Sequence, residues 1–94
     1  MSSSATRTAT VHNGRGLHLR PAGLLAQLAA QYRAEVTLSK DGLTVDARSM
    51  LDMLTLVATQ GSQIVIAAHG EDAEAAVAAI AEFIETDSSD DQEG

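Results

Sequence analysis

The apolar residues of this chain repeat at helix spacing in some segments and at strand spacing in others, and this switch restricts the fold more than any other feature. The clearest helical pattern lies near the C-terminal end, where one face carries Ala73, Ala76, Val77, Ile80, Ala81 and Ile84. A second helical face consists of Leu25, Leu28, Ala29 and Tyr32. A third, shorter helix is predicted to start at Ser49. Each helix therefore has one face that must be buried against another element.

Four other segments have strand patterns. Thr6–Val11 is a short, threonine-rich segment, and 63–68 is the most apolar strand, as expected for a central position. Between them, 36–38 and 43–47 alternate apolar and polar residues on either side of Lys40-Asp41-Gly42, which is typical of a hairpin. The order βαββαβα predicts an α+β fold. It would be an open-faced β-sandwich, in which three helices cover one face of a four-stranded, mainly antiparallel sheet.

Two residues are predicted to cap helices. Ser49 is followed three residues later by Asp52, a pattern similar to a capping box, and Asp72 stands just before the last helix. For the short helix that begins at Ser49, the apolar spacing places Met53 and Val57 in the core.

Charge is distributed unevenly along the 94 residues. Nine of the 13 acidic residues lie from Glu71 onward, where there is no basic residue, whereas residues 1–70 contain all six basic residues. We predict one domain at residues 6–86, since no linker or repeat divides it and its length can bury a core. We expect residues 1–5 to be a flexible N-terminus and residues 87–94 to be a disordered acidic tail.

Composition excludes several kinds of function. The absence of cysteine removes disulfide frameworks, cysteine-ligated zinc and thiol catalysis. A net charge of −7 and an aromatic content of 2% argue against nucleic-acid binding. No segment has the apolar pattern of a membrane span or a signal peptide, so we expect a cytoplasmic protein without membrane contact. The three histidines lack the neighbours of a metal site, and we predict no metal and no other cofactor.

The segment Gly14-Arg15-Gly16-Leu17-His18-Leu19-Arg20-Pro21-Ala22 concentrates the residues that could carry chemistry. His18 lies where a glycine loop becomes a helix, and the partial positive charge of a helix N-terminus favours an uncharged, nucleophilic imidazole. The same N-terminus and Arg20 would stabilise an attached phosphoryl group. No second acid or base stands nearby for hydrolysis, so the pattern favours phosphoryl carriage. The alternative is that His18 only caps the helix and Arg20 is a solvated charge.

Residues Gly16–Ala22 resemble the active-site signature of the HPr family, the histidine phosphocarriers of the phosphoenolpyruvate-dependent sugar phosphotransferase system. Arg48-Ser49 and the apolar residues that follow resemble the regulatory-serine segment of the same family. The resemblance covers about residues 6–85, which is nearly the whole domain. It implies a protein that is an intermediate in a phosphotransfer relay rather than an enzyme acting alone.

By this resemblance, His18 accepts the phosphoryl group on Nδ1, the pros nitrogen, and Arg20 stabilises the phosphohistidine. The donor would be Enzyme I, charged by phosphoenolpyruvate, and the acceptor would be the A component of an enzyme II. Ser49 matches a serine that HPr kinase/phosphorylase phosphorylates in some members of the family. It is therefore a candidate regulatory phosphoserine.

The family's partner surface is an apolar patch beside the histidine. The predicted patch here consists of Leu19, which follows His18, and of the matching positions Ala22, Gly23, Met50, Leu51 and Leu54. Met50 and Leu51 are expected to be exposed, because they cannot all face inward together with Met53 and Leu54. The expected patch is small, which suggests a monomer.

Two positions depart from the family pattern, and the acidic tail is an addition to it. Leu19 stands where alanine is usual, Asp52 stands where glycine or lysine is common, and 87–94 matches no family role. Two alternatives stay open. The chain could be a regulatory or nitrogen-branch HPr paralogue that signals through its phosphorylation state. It could also be a small α+β binding domain in which His18 is never phosphorylated.

Overall fold

The computed structural model describes residues 3–86, and the predicted acidic tail at 87–94 lies outside the described residues. The elements are β1 (Ser4–Thr10), α1 (Leu19–Ala29), β2 (Glu35–Lys40), β3 (Leu43–Asp46), α2 (Met50–Leu54), β4 (Gln63–His69) and α3 (Ala73–Glu85). This order confirms the predicted α+β class with the sequence βαββαβα.

The four strands form one sheet in the order β1-β4-β2-β3, and every neighbouring pair is antiparallel. β4 is a central strand, as its apolar sequence predicts, and the alternation of its side chains places Ile64 and Ile66 in the core. β1 begins two residues before the predicted start, because Ser4 pairs with His69. Part of the segment 1–5, expected to be flexible, therefore belongs to a strand.

The three helices cover one face of the sheet, and the core lies between these two layers. Its largest fully buried side chains are Leu25, Val36, Leu38, Met53, Ile64, Ile66 and Ile80. All six residues of the predicted inner face of α3 are buried, which confirms the helical pattern there. In α1 the predicted face is correct at Leu25 and Ala29, but Tyr32 lies outside the helix, which ends at Ala29.

The prediction that Val57 lies in the core is wrong. α2 ends at Leu54, and the chain then turns so that Leu56 and Ala58 are buried while Val57 is 69% exposed. Val57 has a φ of 50°, in the left-handed region where a β-branched side chain crowds its own backbone. The helix therefore stops before the end of the apolar pattern that predicted it.

Replacing Val57 with glycine is expected to raise the free energy of unfolding by about 1 kcal/mol, because relief of the left-handed strain exceeds the entropy that glycine adds to the unfolded chain. Asp41 is a matched control, since it is also exposed and has a φ of 52°. Aspartate tolerates this region better than valine, so Asp41→Gly should bring no gain. Urea unfolding of the three proteins measures both effects. A Val57→Gly protein that is less stable than the parent would contradict the assignment of strain to Val57.

Asp72 is the N-cap residue of α3, but the prediction that its side chain caps this helix is wrong. Its carboxylate accepts hydrogen bonds from the backbone N–H groups of Arg33 (3.0 Å) and Ala34 (2.8 Å), which lie between α1 and β2. These donors are near because the two segments pack closely: a Cβ atom on Gly70 would lie 2.8 Å from Ala34 Cα. The hydrogen bond from the Arg33 N–H, together with the one from Ala34, lowers the pKa of the Asp72 carboxyl.

The lowered pKa of Asp72 predicts a pH-dependent contribution to stability. The contribution is complete above about pH 4, the ordinary pKa of an unfolded aspartate, and it is lost as pH falls through the lower native pKa. Asp72→Asn should therefore be less stable than the parent at neutral pH, and the gap should narrow at about pH 3. Urea unfolding at both pH values gives the two gaps. A gap of the same size at both would show that the carboxylate charge does not stabilise the fold.

Candidate functional site

Hydrogen bonds within the loop and to the segment after α2 fix the loop that precedes α1. The buried Asn13 side chain accepts one from the Arg15 N–H through Oδ1 (2.8 Å), and the Asn13 carbonyl accepts another from the Gly16 N–H (2.9 Å). The Leu17 N–H donates to the carbonyl oxygen of Ala58 (2.8 Å), which ties the loop to the segment after α2. Together these bonds set the direction in which the chain enters α1. The role of Asn13 was missed in the sequence, although an Asn-Gly-Arg-Gly run is a turn signal.

Gly16 makes the close approach of this loop to Ala58 possible. It has a φ of 73°, and a Cβ atom there would overlap the Ala58 carbonyl oxygen and lie 2.9 Å from Thr59 Cα. A side chain at this position would strain the backbone and also displace the acceptor of the Leu17 hydrogen bond.

His18 is the N-cap residue of α1, with an extended backbone (φ −91°, ψ −166°). Its carbonyl oxygen accepts a hydrogen bond from the Ala22 N–H (2.9 Å), which begins the helical pattern, but its imidazole makes no capping hydrogen bond. The side chain is half-buried and its Nε2 atom is buried. Helix capping therefore does not explain this side chain.

Two arginines flank His18 in the chain. Arg15 lies in the loop and Arg20 in the first turn of α1, and both are exposed. They place two positive charges close in sequence to the N-terminus of α1, although the whole chain has a net charge of −7. The sequence motif pointed to Arg20 and gave Arg15 no role. The sequence signal for Arg15 is that it is a second positively charged residue within three residues of His18.

Exposed apolar side chains lie beside His18 on α1 and α2. We define this apolar patch as Leu19, Gly23, Leu24, Met50, Leu51 and Leu54. Leu19 and Leu51 are 59% and 69% exposed, and Met50 and Leu54 are half-buried. The helices meet where a Cβ atom on Gly23 would lie 3.3 Å from Met50 Sδ. The patch is therefore continuous from the residue after His18 to α2.

One predicted member of the patch does not belong to it. Ala22 is fully buried, because it lies on the same face of α1 as Leu25 and Ala29, and the prediction that it contacts partners is wrong. Leu24 was missed, although it is 40% exposed. The sequence signal for its exposure is that Leu24 is apolar but lies outside the buried face of the helix. The predicted exposure of Leu51 is confirmed.

Ser49 caps α2 as predicted. Its Oγ accepts a hydrogen bond from the Asp52 N–H (3.1 Å). The preceding residue, Arg48, donates through Nη2 to the carbonyl oxygens of Tyr32 (3.0 Å) and Ala34 (3.1 Å). These bonds attach the start of α2 to the connection between α1 and β2, and they place Ser49 at the edge of the apolar patch.

The other two histidines have different surroundings. His69 lies at the end of β4, where its Nδ1 is 3.1 Å from Ser4 Oγ, and His12 is exposed. Within residues 3–86, no group of three histidine, cysteine, aspartate or glutamate residues could hold a metal ion. No helix in the same range is both long and apolar enough to cross a membrane.

Known sequences resemble the chain over most of its length. The family model described as "PTS HPr component phosphorylation site" matches residues 5–86. The phosphocarrier protein HPr of Borreliella burgdorferi is 39% identical over 71 residues, which cover 76% of this chain and 83% of the relative. The HPr-like protein Crh of Bacillus subtilis is 34% identical over 70 residues, which cover 74% of this chain and 82% of the relative.

Solved structures have the same fold. The crystal structure of the phosphocarrier protein HPr from Bacillus anthracis superposes with a TM-score of 0.84 at 35% identity, covering 87% of this chain and 98% of that chain. A crystal structure of Crh from Bacillus subtilis superposes with a TM-score of 0.71 at 33% identity, covering 82% of this chain and 88% of that one. These matches confirm the open-faced sandwich with three helices.

Proposed function

The chain belongs to the HPr family, the phosphocarrier proteins of the phosphotransferase system, and on that premise we propose that His18 carries its phosphoryl group. Members of this family are carriers and not enzymes. In the proposed relay, Enzyme I receives a phosphoryl group from phosphoenolpyruvate and passes it to His18. The A component of an enzyme II then takes it from His18.

The state of the His18 imidazole carries this proposal. The side chain stands at the N-terminus of α1, makes no capping hydrogen bond and has Nε2 buried. A carrier histidine needs one nitrogen that reaches both donor and acceptor, and the burial of Nε2 supports Nδ1 in that role. Phosphoryl transfer requires mainly alignment and charge stabilisation, so a half-buried side chain at a helix start is sufficient.

The transfer step uses the lone pair of Nδ1, with the ring proton on Nε2. Nδ1 attacks the phosphorus atom in line with the donor, a new N–P bond forms, and the bond from phosphorus to the donor atom of Enzyme I breaks. The donor atom keeps the electron pair of that bond. The same exchange in the opposite sense moves the phosphoryl group to the A component, so the carrier returns to its starting state.

Arg20 and the first N–H groups of α1 are the proposed stabilisers of the phosphohistidine. An attached phosphoryl group carries a charge of about −1.5 to −2, and its oxygens accept hydrogen bonds from a guanidinium in a charge-assisted geometry. Arg20 lies in the first turn of the helix that His18 begins, which supports this role. The N-terminus of α1 adds a favourable partial charge.

The apolar patch is the proposed docking surface for Enzyme I and for the A component. It adjoins His18 through Leu19, so a protein that covers it brings its own reactive group to the imidazole. Its methionine adapts to different partner shapes, which suits a surface that two proteins use in turn. Leu19, a bulkier residue than the family's usual alanine, would restrict which partners fit.

We further propose that the protein acts as a monomer in the cytoplasm, where phosphoenolpyruvate is made. Crystal structures of Crh from Bacillus subtilis and of an HPr from Thermoanaerobacter tengcongensis are described as dimers. Sedimentation velocity should therefore be measured over a range of concentrations. A single species near 9.8 kDa is expected, and a stable dimer would contradict the proposal.

A relay assay tests the function. The chain is incubated with Enzyme I and with phosphoenolpyruvate that carries a labelled phosphoryl group. The chain is then purified away from Enzyme I and mixed with a purified A component. The label is expected to appear on the chain and then to move to the A component. If the chain is never labelled, the carrier proposal fails. If no sugar-specific A component takes up the label and the chain loses it only by hydrolysis, a role in sugar transport is excluded.

A regulatory role is the second candidate, and the similarity to Crh of Bacillus subtilis favours it. The solution structure of Crh also superposes on this chain, and Crh is described there as a catabolite repression HPr. A chain of this type would be phosphorylated on His18 or on Ser49 and would signal through that phosphorylation state. In the relay assay such a chain would not transfer the label to a sugar-specific A component. It would transfer the label to a nitrogen-branch A component or would keep it.

Ser49 is the proposed regulatory site, and HPr kinase/phosphorylase is the proposed modifying enzyme. A phosphate on its Oγ would sit at the N-terminus of α2, where negative charge is tolerated, and at the edge of the apolar patch, where charge must be desolvated on docking. Asp52 lies within the same turn and would repel this phosphate, which counts against Ser49 as a regulatory site. Phosphorylation would weaken docking through the charge that it places at the edge of the apolar patch.

Ser49→Asp is expected to slow phosphorylation of His18 by Enzyme I by about threefold to tenfold at low salt, because it places a charge beside the docking surface. Ser49→Asn is the matched control, since asparagine also caps helices but is uncharged. The rates of phosphoryl uptake by the two variants and by the parent show whether charge at position 49 slows the reaction. If Ser49→Asn slows uptake as much as Ser49→Asp, charge at this position is not the cause.

A further inference from the structure

An open groove lies between α1 and α3. We define the α1–α3 groove by the residues that line it, which are Leu28, Ala79, Glu82, Phe83 and Thr86. Its volume is about 360 Å³, its apolar side chains are half-buried, and Glu82 and Thr86 are exposed. Sites for small molecules enclose most of the ligand, so a groove with exposed walls is better suited to a side chain that another protein presents.

The α1–α3 groove is separate from the apolar patch but adjoins it. In α1, Gly23 faces Met50 of α2, and Leu28 lies five residues further along, which turns it by roughly 140° around the helix axis. Leu24 precedes Leu28 by four residues and therefore lies on the same side of α1. Leu24 is also an exposed member of the patch. A helix seated in the groove would therefore lie on the side of α1 opposite to α2.

The charge that α3 brings to the groove is negative. α3 carries Glu74, Glu82 and Glu85 and no basic residue. Glu82 and Glu85 lie in the last turn, where the partial negative charge of a helix C-terminus makes a carboxylate unfavourable. The Glu85 carboxylate accepts a hydrogen bond from the Thr10 N–H (3.2 Å), whereas Glu82 is exposed and lines the groove. The groove therefore joins apolar side chains to a carboxylate and a negative helix end, which are complementary to a cation.

We propose that the α1–α3 groove is a docking site for an amphipathic helix of a partner protein. This helix places a large apolar side chain between Leu28 and Phe83 and a basic side chain at Glu82, in the way that amphipathic helices bind apolar grooves. The cation offsets the unfavourable position of Glu82 at the end of α3. A second copy of this chain lacks the required chemistry, since Arg20 is the only basic residue of its three helices.

The charge argument can be tested on the chain alone. Glu82→Gln removes the charge from the last turn of α3 and should raise the urea midpoint of unfolding. The matched control is Glu74→Gln, in the first turn of the same helix, which should lower the midpoint. Glutamate and glutamine have similar helix propensities, so the two variants report the effect of charge. If the midpoint of Glu82→Gln does not rise, the argument for a cation from a partner fails.

Binding is tested with two synthetic amphipathic helices that share leucines on one face and carry either arginines or glutamates beside them. Amide NMR signals of the full chain are followed as each peptide is added. The arginine peptide should shift the signals of Leu28, Ala79 and Phe83, and the glutamate peptide should not. Glu82→Gln should weaken binding of the arginine peptide by about twofold to fivefold at low salt, and Glu74→Gln should have little effect.

Three results of the peptide titrations would overturn the proposal. The first is the absence of binding, and the second is equal binding of the two peptides. The third is a set of shifts on the apolar patch, at Leu19 and Leu51, with none in the groove. None of these measurements involves phosphorylation, so their outcome is independent of the function of His18.

Discussion

Replacing Gly16 with alanine is expected to lower the free energy of unfolding by about 3 kcal/mol, from left-handed strain and from overpacking together. Gly16 has a φ of 73°, which an alanine adopts only at a cost. A Cβ atom would also overlap the Ala58 carbonyl oxygen and approach Thr59 Cα to 2.9 Å. Both obstacles are backbone atoms, which cannot move aside as a flexible side chain would, so the loop itself must shift.

The same substitution should slow phosphorylation of His18 even where the protein is still folded, because the displaced Ala58 oxygen is the acceptor of the Leu17 hydrogen bond. Gly14→Ala is the matched control: a Cβ atom there meets nothing within 4 Å, and Gly14 is not among the glycines with positive φ. Urea unfolding and phosphoryl uptake are measured on both variants. Equal loss of stability in Gly14→Ala and Gly16→Ala would show that the close approach to Ala58 is not what requires glycine.

The regular part of this fold could be predicted from the sequence because it depends on side-chain periodicity. The inner face of α3 and the central position of β4 follow from the spacing of alanines, isoleucines and valines, which burial against a sheet requires. Ser49 as a cap was equally accessible, since its partner, the Asp52 N–H, is three residues away. Local rules were sufficient wherever the partners were local.

The errors share a different cause, which is contact between segments far apart in the chain. Asp72 was expected to cap its own helix, but Arg33 and Ala34 bring two N–H groups to it from another connection. Val57 has helical spacing, yet the chain turns left-handed there, and the next residue, Ala58, is buried and accepts a hydrogen bond from the distant Leu17 N–H.

The candidate site divides in the same way. The motif around His18 was sufficient to propose the histidine and Arg20, because both lie at one helix start. The anchoring of that helix start, through Asn13 and through Leu17 to Ala58, depends on tertiary contacts that spacing does not contain.

The central claim is that His18 is the phosphorylated residue, and His18→Ala is expected to abolish phosphorylation completely. The substitution should leave the fold intact, because the imidazole makes no capping hydrogen bond and the helix begins through the backbone carbonyl of residue 18. His12→Ala is the matched control, since His12 also lies in the connection between β1 and α1 but is exposed. It should be phosphorylated like the parent.

The most direct test is the intact mass of the parent, His18→Ala and His12→Ala proteins after incubation with phosphoenolpyruvate and Enzyme I. Each sample is then divided between acid and alkali, because a phosphohistidine is lost in acid whereas a phosphoserine survives it. We predict one acid-labile phosphoryl group on the parent and on His12→Ala, and none on a folded His18→Ala. A phosphoryl group that persists on His18→Ala, or none on the parent with its cognate Enzyme I, would contradict the assignment of His18 as the carrier.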